Sequence, residues 1–169
     1  MEDITIFEDF LTKDEMSFVD IYFLKDAKWQ YGIANTGADS ITWFVCHQLK
    51  HEPFFKNHIV SKINKATNCN WECFDIYANG QTVQLEGKTH LDSIPPTEQW
   101  SALLYVSDIN PHNIDTVNGH TEFKIKNQIR SIEPFKNRLV LFKGSIPHKG
   151  RAPSIPEMFR ISIIFKLKK

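Results

Sequence analysis

WECFDIYANGQTVQLEGKTHLDS, residues 71–93, is where the pattern of the chain changes. Upstream the apolar residues recur at helical spacing. From Trp71 they alternate, which sends successive side chains to opposite faces of a pleated strand. The alternation is carried by aromatic and β-branched residues, the types that pack best there. It continues to the C-terminus: WECFDIYA, TVQLE, WSALLYVS, HTEFKI, QIRSIEP, RLVLFKG and RISIIFKLK read as seven short strands divided by turn residues. Asn79-Gly80 reads as a tight turn between the first two.

Before residue 70 the reading is helical. Thr12 with Glu15 makes a capping box, and Met16, Val19, Tyr22 and Phe23 follow at helical spacing, predicting a helix from about Lys13 to Asp26. The segment NTGADS (residues 35–40) reads as a loop. Two further helices are expected after it, one over ITWFVCHQL and one over FFKNHIVSKINKA, where Phe55, Ile59, Ile63 and Ala66 form a stripe. Helices ahead of a run of short strands predict an α+β protein whose β part is a sandwich, jelly roll or barrel. The 169 residues fit one domain, helical over about 1–69 and β over about 70–169.

Composition narrows the function classes. Twenty basic residues balance 20 acidic ones, so there is no general basic excess for phosphate backbones or anionic lipid, and neither nucleic acid nor membrane is the expected partner. Cys46, Cys69 and Cys73 are odd in number and lack CxxC spacing, which predicts reduced thiols in a cytoplasm. The opening MEDITIFEDF has no signal-peptide pattern.

Within THLDS, an extended backbone would point His90 and Asp92 the same way, so that the pair can share an ion. Alone, the pair reads as a polar turn. The best third ligand is His148 in GSIPHKG, which follows the apolar strand RLVLF after a turn marked by Gly144 and Pro147, and so is expected at a strand end and not in a core. Two histidines and a carboxylate on one face of a cation leave the opposite positions open, the arrangement used by non-haem Fe(II) oxygenases. Arg160 and Ser162 share one face of the last strand, with Ile161, Ile163 and Phe165 on the other. An inward arginine there needs an anion, because an unpaired buried charge is costly, whereas an outward one would pair with a surface acid. A planar guanidinium suits a carboxylate.

The order His-x-Asp, strand-end His and Arg-x-Ser resembles the 2-oxoglutarate and Fe(II)-dependent oxygenases, with 55 residues between Asp92 and His148. YANGQTVQLEGKTHLDS, SALLYVS, NGHTEF and RLVLFKGSIPHKGRAPS with RISIIFKL are similar to the compact prolyl-4-hydroxylase-like branch found in bacteria and phages. The resemblance covers about Trp71 to Leu167, and more loosely WQYG (29–32) and TWFVCHQL. It implies a double-stranded β-helix, a jelly-roll, cupin-like core, with the N-terminal helices packed on one sheet. It implies that His90, Asp92 and His148 bind Fe(II), that Arg160 pairs with the distal carboxylate of 2-oxoglutarate, and that Ser162 and Tyr77 add hydrogen bonds. Tyr105 is a second tyrosine candidate, and Arg151 a second candidate for the carboxylate or the pocket rim.

The implied reaction hydroxylates an unactivated C–H bond with dioxygen, releasing succinate and carbon dioxide, with ascorbate as reductant. The implied substrate is a peptidyl proline or similar residue. The alternatives are a free amino acid, another small molecule or a nucleobase, and, outside enzymology, a non-catalytic cupin-like metal-binding module. The chain would act in the cytoplasm of the producing cell, a phage-infected host included. It departs from the family's Gly-Gly-Glu-Thr at Asn118-Gly119-His120-Thr121, where His120 replaces an acid near the mouth of the site.

Overall fold

The computed structural model describes residues 2–33, 42–94 and 96–169; the NTGADS loop lies outside them. The first helix, α1 (Lys13–Lys25), begins where its capping box predicts. The Glu15 amide donates to Thr12 Oγ1 at 3.3 Å, and the Thr12 amide donates to Glu15 Oε2 at 2.6 Å. A π-helical turn over Phe54–Ile59 runs directly into α2 (Val60–Thr67). Three residues of its predicted apolar stripe, Phe55, Ile59 and Ile63, are fully buried, whereas the fourth, Ala66 near the end of α2, is exposed.

Two sheets form the body of the protein. Along the chain the strands are β1 (Ile4–Phe7), β2 (Gln30–Ile33), β3 (Thr42–Cys46), β4 (Glu72–Gln81), β5 (Gln99–Tyr105), β6 (Thr121–Ile125), β7 (Gln128–Ile132), β8 (Leu139–Lys143), β9 (His148–Gly150) and β10 (Arg160–Lys168). The larger sheet has the order β1-β8-β5-β10-β4-β3-β2 and the smaller β7-β6-β9, with all pairings antiparallel. This is the expected jelly-roll core, with helices against one face of the larger sheet.

Strand β10 lies in the middle of that sheet and sorts the interior by parity. Ile161, Ile163, Phe165 and Leu167 face the helices and join Val19, Tyr22, Phe55, Ile59 and Ile63 in one core. Ile164 faces the second sheet and packs with Tyr105, Phe123, Phe142 and Val140. The neighbours of Ile164 on that second face are Arg160, Ser162 and Lys166, so the polar residues of β10 point between the sheets.

Four expectations are corrected. TWFVC is strand β3, not a helix, because it pairs with β2 on one side and β4 on the other; five residues of mixed apolar character fit either period until a partner edge is supplied. The first 69 residues thus contribute three strands as well as helices. Asn79-Gly80 makes no turn: β4 continues through it to Gln81, with Ile161 opposite Gly80 and Ser162 opposite Asn79. The glycine serves close approach, since a Cβ at residue 80 would stand 2.1 Å from Cζ of Phe159. TVQLE is a turn, closed by the Leu85 amide donating to Thr82 O at 3.1 Å, with Gln84 at φ 70°. Finally, His148 stands at a strand end as expected, as the first residue of β9, but it is buried against Phe123 and Phe142 instead of lying outside the core.

Candidate metal centre

His90 and His148 are paired before their side chains are considered. The His90 amide donates to His148 O at 2.9 Å and the His148 amide to His90 O at 3.0 Å, an isolated antiparallel bridge. Residues directly opposite in such a bridge carry their side chains on the same face. The two imidazoles accordingly lie 4.4 Å apart, centroid to centroid. Two residues on, the Asp92 amide donates to Gly144 O at 2.8 Å, which holds Asp92 against the turn that joins β8 to β9. A Cβ on Gly144 would meet Ser93 Oγ at 2.7 Å, so this close approach requires the glycine.

The three side chains converge. His90 Nε2 lies 3.5 Å from Asp92 Oδ1, His148 Nε2 lies 3.6 Å from Asp92 Oδ2, and one donor atom from each residue falls within 4.8 Å of the others. Each imidazole is fixed from behind: His90 Nδ1 is 2.9 Å from Lys88 O and His148 Nδ1 is 2.9 Å from Ile146 O. A carbonyl can only accept, so both Nδ1 atoms carry a hydrogen and both Nε2 atoms are turned toward Asp92, where each can ligate once it has no proton. His148 is further held by Phe123, stacked at 5.8 Å, and by the edge of Phe142 at 4.7 Å.

Electrostatics favour the ligand forms of His148 and Asp92, whereas at His90 burial is outweighed by the Asp92 carboxylate, which raises the pKa and favours the protonated ring in the metal-free protein. Burial pushes the His148 pKa down to about 4 against the opposing pull of Asp92, so the ring is neutral at physiological pH. Burial alone would raise the Asp92 pKa, but His90 and the Lys166 ammonium outweigh it and hold the carboxyl well below its usual range. Two neutral-capable imidazoles and one ionised carboxylate, with donor atoms aimed at one point, fit a hard or borderline divalent ion such as Fe(II). No metal is part of the structure; the fit rests on these donors.

Arg160, 2% exposed, lines the same cavity as Phe142 and Leu103. Its Nε donates to Gly119 O at 2.5 Å, Nη1 to Gln81 Oε1 at 2.7 Å and Ser162 Oγ at 3.4 Å, and Nη2 to Thr121 Oγ1 at 3.1 Å. Every partner is neutral. Burial lowers its pKa, yet a guanidinium stays charged in proteins. Among the described residues this buried cation has no acidic partner, and it lines the same cavity as His90, Asp92 and His148.

The other expected site residues divide. Ser162 and Tyr77 line that cavity, and burial pushes the Tyr77 phenol far up. Tyr105 has its hydroxyl committed to Thr121 Oγ1 at 2.7 Å beneath Arg160, outside the lining. Arg151 is at the surface, pairing with Glu86 at 2.7 Å and Glu122 at 3.6 Å. His120 also lies near Glu122, at 3.5 Å. Gln81, Thr121 and Asn79 were not anticipated; their signal was the alternation of β4 and β6, which the misplaced turn at Asn79-Gly80 obscured. Lys166 and Ser101, both bound to Asp92 Oδ2, were also missed.

No family model matches the sequence, and no curated protein matches it closely enough to count as a relative. Solved structures do. A Pseudomonas putida prolyl-4-hydroxylase matches with TM-score 0.72 at 15% identity, over 100% of this chain and 94% of its own. The non-heme alpha-ketoglutarate-dependent epimerase SnoN from nogalamycin biosynthesis gives 0.73 at 10%, over 99% and 79%. HygX from Streptomyces hygroscopicus, solved with nickel and 2-oxoglutarate bound, gives 0.72 at 11%, over 98% and 82%. The chain therefore has the double-stranded β-helix fold of the 2-oxoglutarate and Fe(II)-dependent oxygenases, prolyl hydroxylases among them.

Proposed function

We propose that the protein is an Fe(II)- and 2-oxoglutarate-dependent dioxygenase that hydroxylates an unactivated C–H bond of a peptidyl proline or similar residue. The observation that carries this reading is the pairing, in one cavity, of the His90-Asp92-His148 donor set with a buried guanidinium that has only neutral partners. A dianionic co-substrate that chelates a metal at one end and carries a carboxylate at the other satisfies both features at once.

His90 Nε2, His148 Nε2 and an oxygen of Asp92 would hold Fe(II). Arg160 would receive the distal carboxylate of 2-oxoglutarate as a charge-assisted pair, with Ser162 and Tyr77 beside it. With dioxygen, iron and 2-oxoglutarate held there would supply the oxidant, one oxygen atom going to the substrate hydroxyl and the other to succinate with release of carbon dioxide. The chain's own part is positioning and exclusion of water. Leu103, Phe142 and Ile164 give the cavity apolar walls, while Trp43 Nε1 donates to Asn79 Oδ1 at 3.2 Å and fixes another wall.

A prolyl target is supported by likeness to the Pseudomonas putida enzyme. Action on a small molecule is the second reading, supported by likeness at a similar TM-score to SnoN, the alpha-ketoglutarate-dependent epimerase from nogalamycin biosynthesis. No helix among the described residues is long and apolar enough to cross a membrane, and Cys46, Cys69 and Cys73 are free, which suits action in a cytoplasm. Purified protein supplied with Fe(II), ascorbate and 2-oxoglutarate should form succinate slowly without substrate, and a +16 Da product should appear in lysate only when 2-oxoglutarate is added. Arg160→Ala should mainly raise the 2-oxoglutarate requirement. Absence of Fe(II) and 2-oxoglutarate binding in wild type refutes the enzymatic reading.

A further inference from the structure

Asp92 has a second set of partners on the side away from Arg160. Lys166 Nζ lies 2.5 Å from Asp92 Oδ2, and Ser101 Oγ donates to the same oxygen at 2.6 Å. The ammonium also donates to Ser101 Oγ at 3.3 Å, closing a triangle of three side chains. Backbone register enforces it: Lys166 of β10 stands directly opposite Ser101 of β5. Ser101 is fully buried and the Lys166 side chain is 12% exposed. Burying a lysine is costly unless a carboxylate compensates it, and the carboxylate is that of a metal-ligand candidate. A lysine needed only for packing would not have to reach this oxygen.

We infer that Lys166, with Ser101, is a positioning residue of the metal centre: together they occupy Asp92 Oδ2, so that Asp92 offers a metal only Oδ1. The inference rests on the triad reading above and adds a residue to it. The chemical consequence is specific. A carboxylate with both oxygens free can take an ion in bidentate fashion and fill a coordination position, whereas one whose Oδ2 already accepts two hydrogen bonds binds through one oxygen and leaves positions for other ligands. The ammonium also balances the buried Asp92 charge in the metal-free protein and draws electron density from the carboxylate. Metal affinity is thereby held lower than the bare donor set would give.

The test uses Co(II) as a spectroscopic probe on the full chain, comparing wild type, Lys166→Met, Lys166→Arg and Ser101→Ala. Lys166→Met is expected to bind Co(II) at least about tenfold more tightly, since a like charge near the ion is gone. Its visible Co(II) spectrum should change as Oδ2 becomes a ligand. Its metal-free Tm should fall, and Co(II) should raise Tm by more than in wild type. Lys166→Arg should keep the wild-type spectrum, and Ser101→Ala should move the spectrum toward that of Lys166→Met, which covers the case in which one variant fails to fold. An unchanged spectrum together with unchanged or weaker Co(II) binding in Lys166→Met and Ser101→Ala overturns the inference while leaving the triad intact. Failure of wild type to bind Co(II), with His90→Ala indistinguishable from it, overturns both.

Discussion

Gln81 and Arg160 stand opposite each other in the β4–β10 register, and the guanidinium donates to the carboxamide oxygen at 2.7 Å. The same carboxamide donates to Leu85 O at 2.8 Å, tying the turn after β4 to the floor of the site. A neutral acceptor at residue 81 lets Arg160 keep a buried positive charge for an incoming anion. Gln81→Glu should supply that anion permanently. The variant is expected to fold with an equal or higher Tm and to bind 2-oxoglutarate at least about tenfold more weakly, because the new carboxylate competes for the same guanidinium. Calorimetric titration with 2-oxoglutarate in the presence of a divalent metal checks this, and unchanged affinity would remove Arg160 from the anion site.

Divalent metal should stabilise the wild type, and His90→Ala should abolish that stabilisation. Loss of one donor from three, in a site whose donor atoms already face one point, costs far more affinity than loss of a surface ligand. Thermal unfolding with and without Fe(II) under anaerobic conditions is the measurement. Equal metal affinity in the two proteins would sink the triad assignment.

Acid should weaken the contact between α1 and α2 at a defined place. Glu15 closes the Thr12 capping box, lies 2.6 Å from His58 Nε2 and pairs with Lys62. Burial would raise its pKa, but Lys62, the Thr12 amide and His58 bring it down to about 2, below its ordinary 4.5. A carboxyl with a depressed folded-state pKa contributes stability that is present above about pH 4.5 and lost as pH falls through about 2. Wild type should therefore exceed Glu15→Gln in Tm at pH 6, with the gap closing as pH falls between these limits. A gap that stays constant down to pH 2 would show that Glu15 acts only through its shape.

Gly80→Ala should destabilise the protein by about 1–3 kcal/mol through overpacking, since the new methyl group would strike the Phe159 ring. Phe159 also meets Trp29 at 5.0 Å and Phe44 at 5.5 Å, so the ring has little room to retreat. Urea denaturation of Gly80→Ala, alone and combined with Phe159→Leu, should show partial rescue in the double variant. Equal stability of wild type and Gly80→Ala would mean that the ring moves freely.

The sequence by itself determined the period of β5, β8 and β10 and the face that Arg160 and Ser162 share, and with the family resemblance it singled out His90, Asp92 and His148 as candidate metal ligands. Alternation and side-chain chemistry are local properties, so they are legible without a fold. WSALLYVS, RLVLFKG and RISIIFKLK became β5, β8 and β10 for that reason. Only the tertiary structure decided what depends on a partner edge. TWFVC became a strand because β2 and β4 flank it, and Asn79-Gly80 stayed extended because β10 pairs through it. The same holds at the site. His90 and His148 face each other through reciprocal backbone hydrogen bonds between segments 58 residues apart, and Lys166 reaches Asp92 because β5 and β10 are in register at Ser101. A hydrogen-bonded register between distant strands is set by the whole sheet, and no short stretch of sequence encodes it.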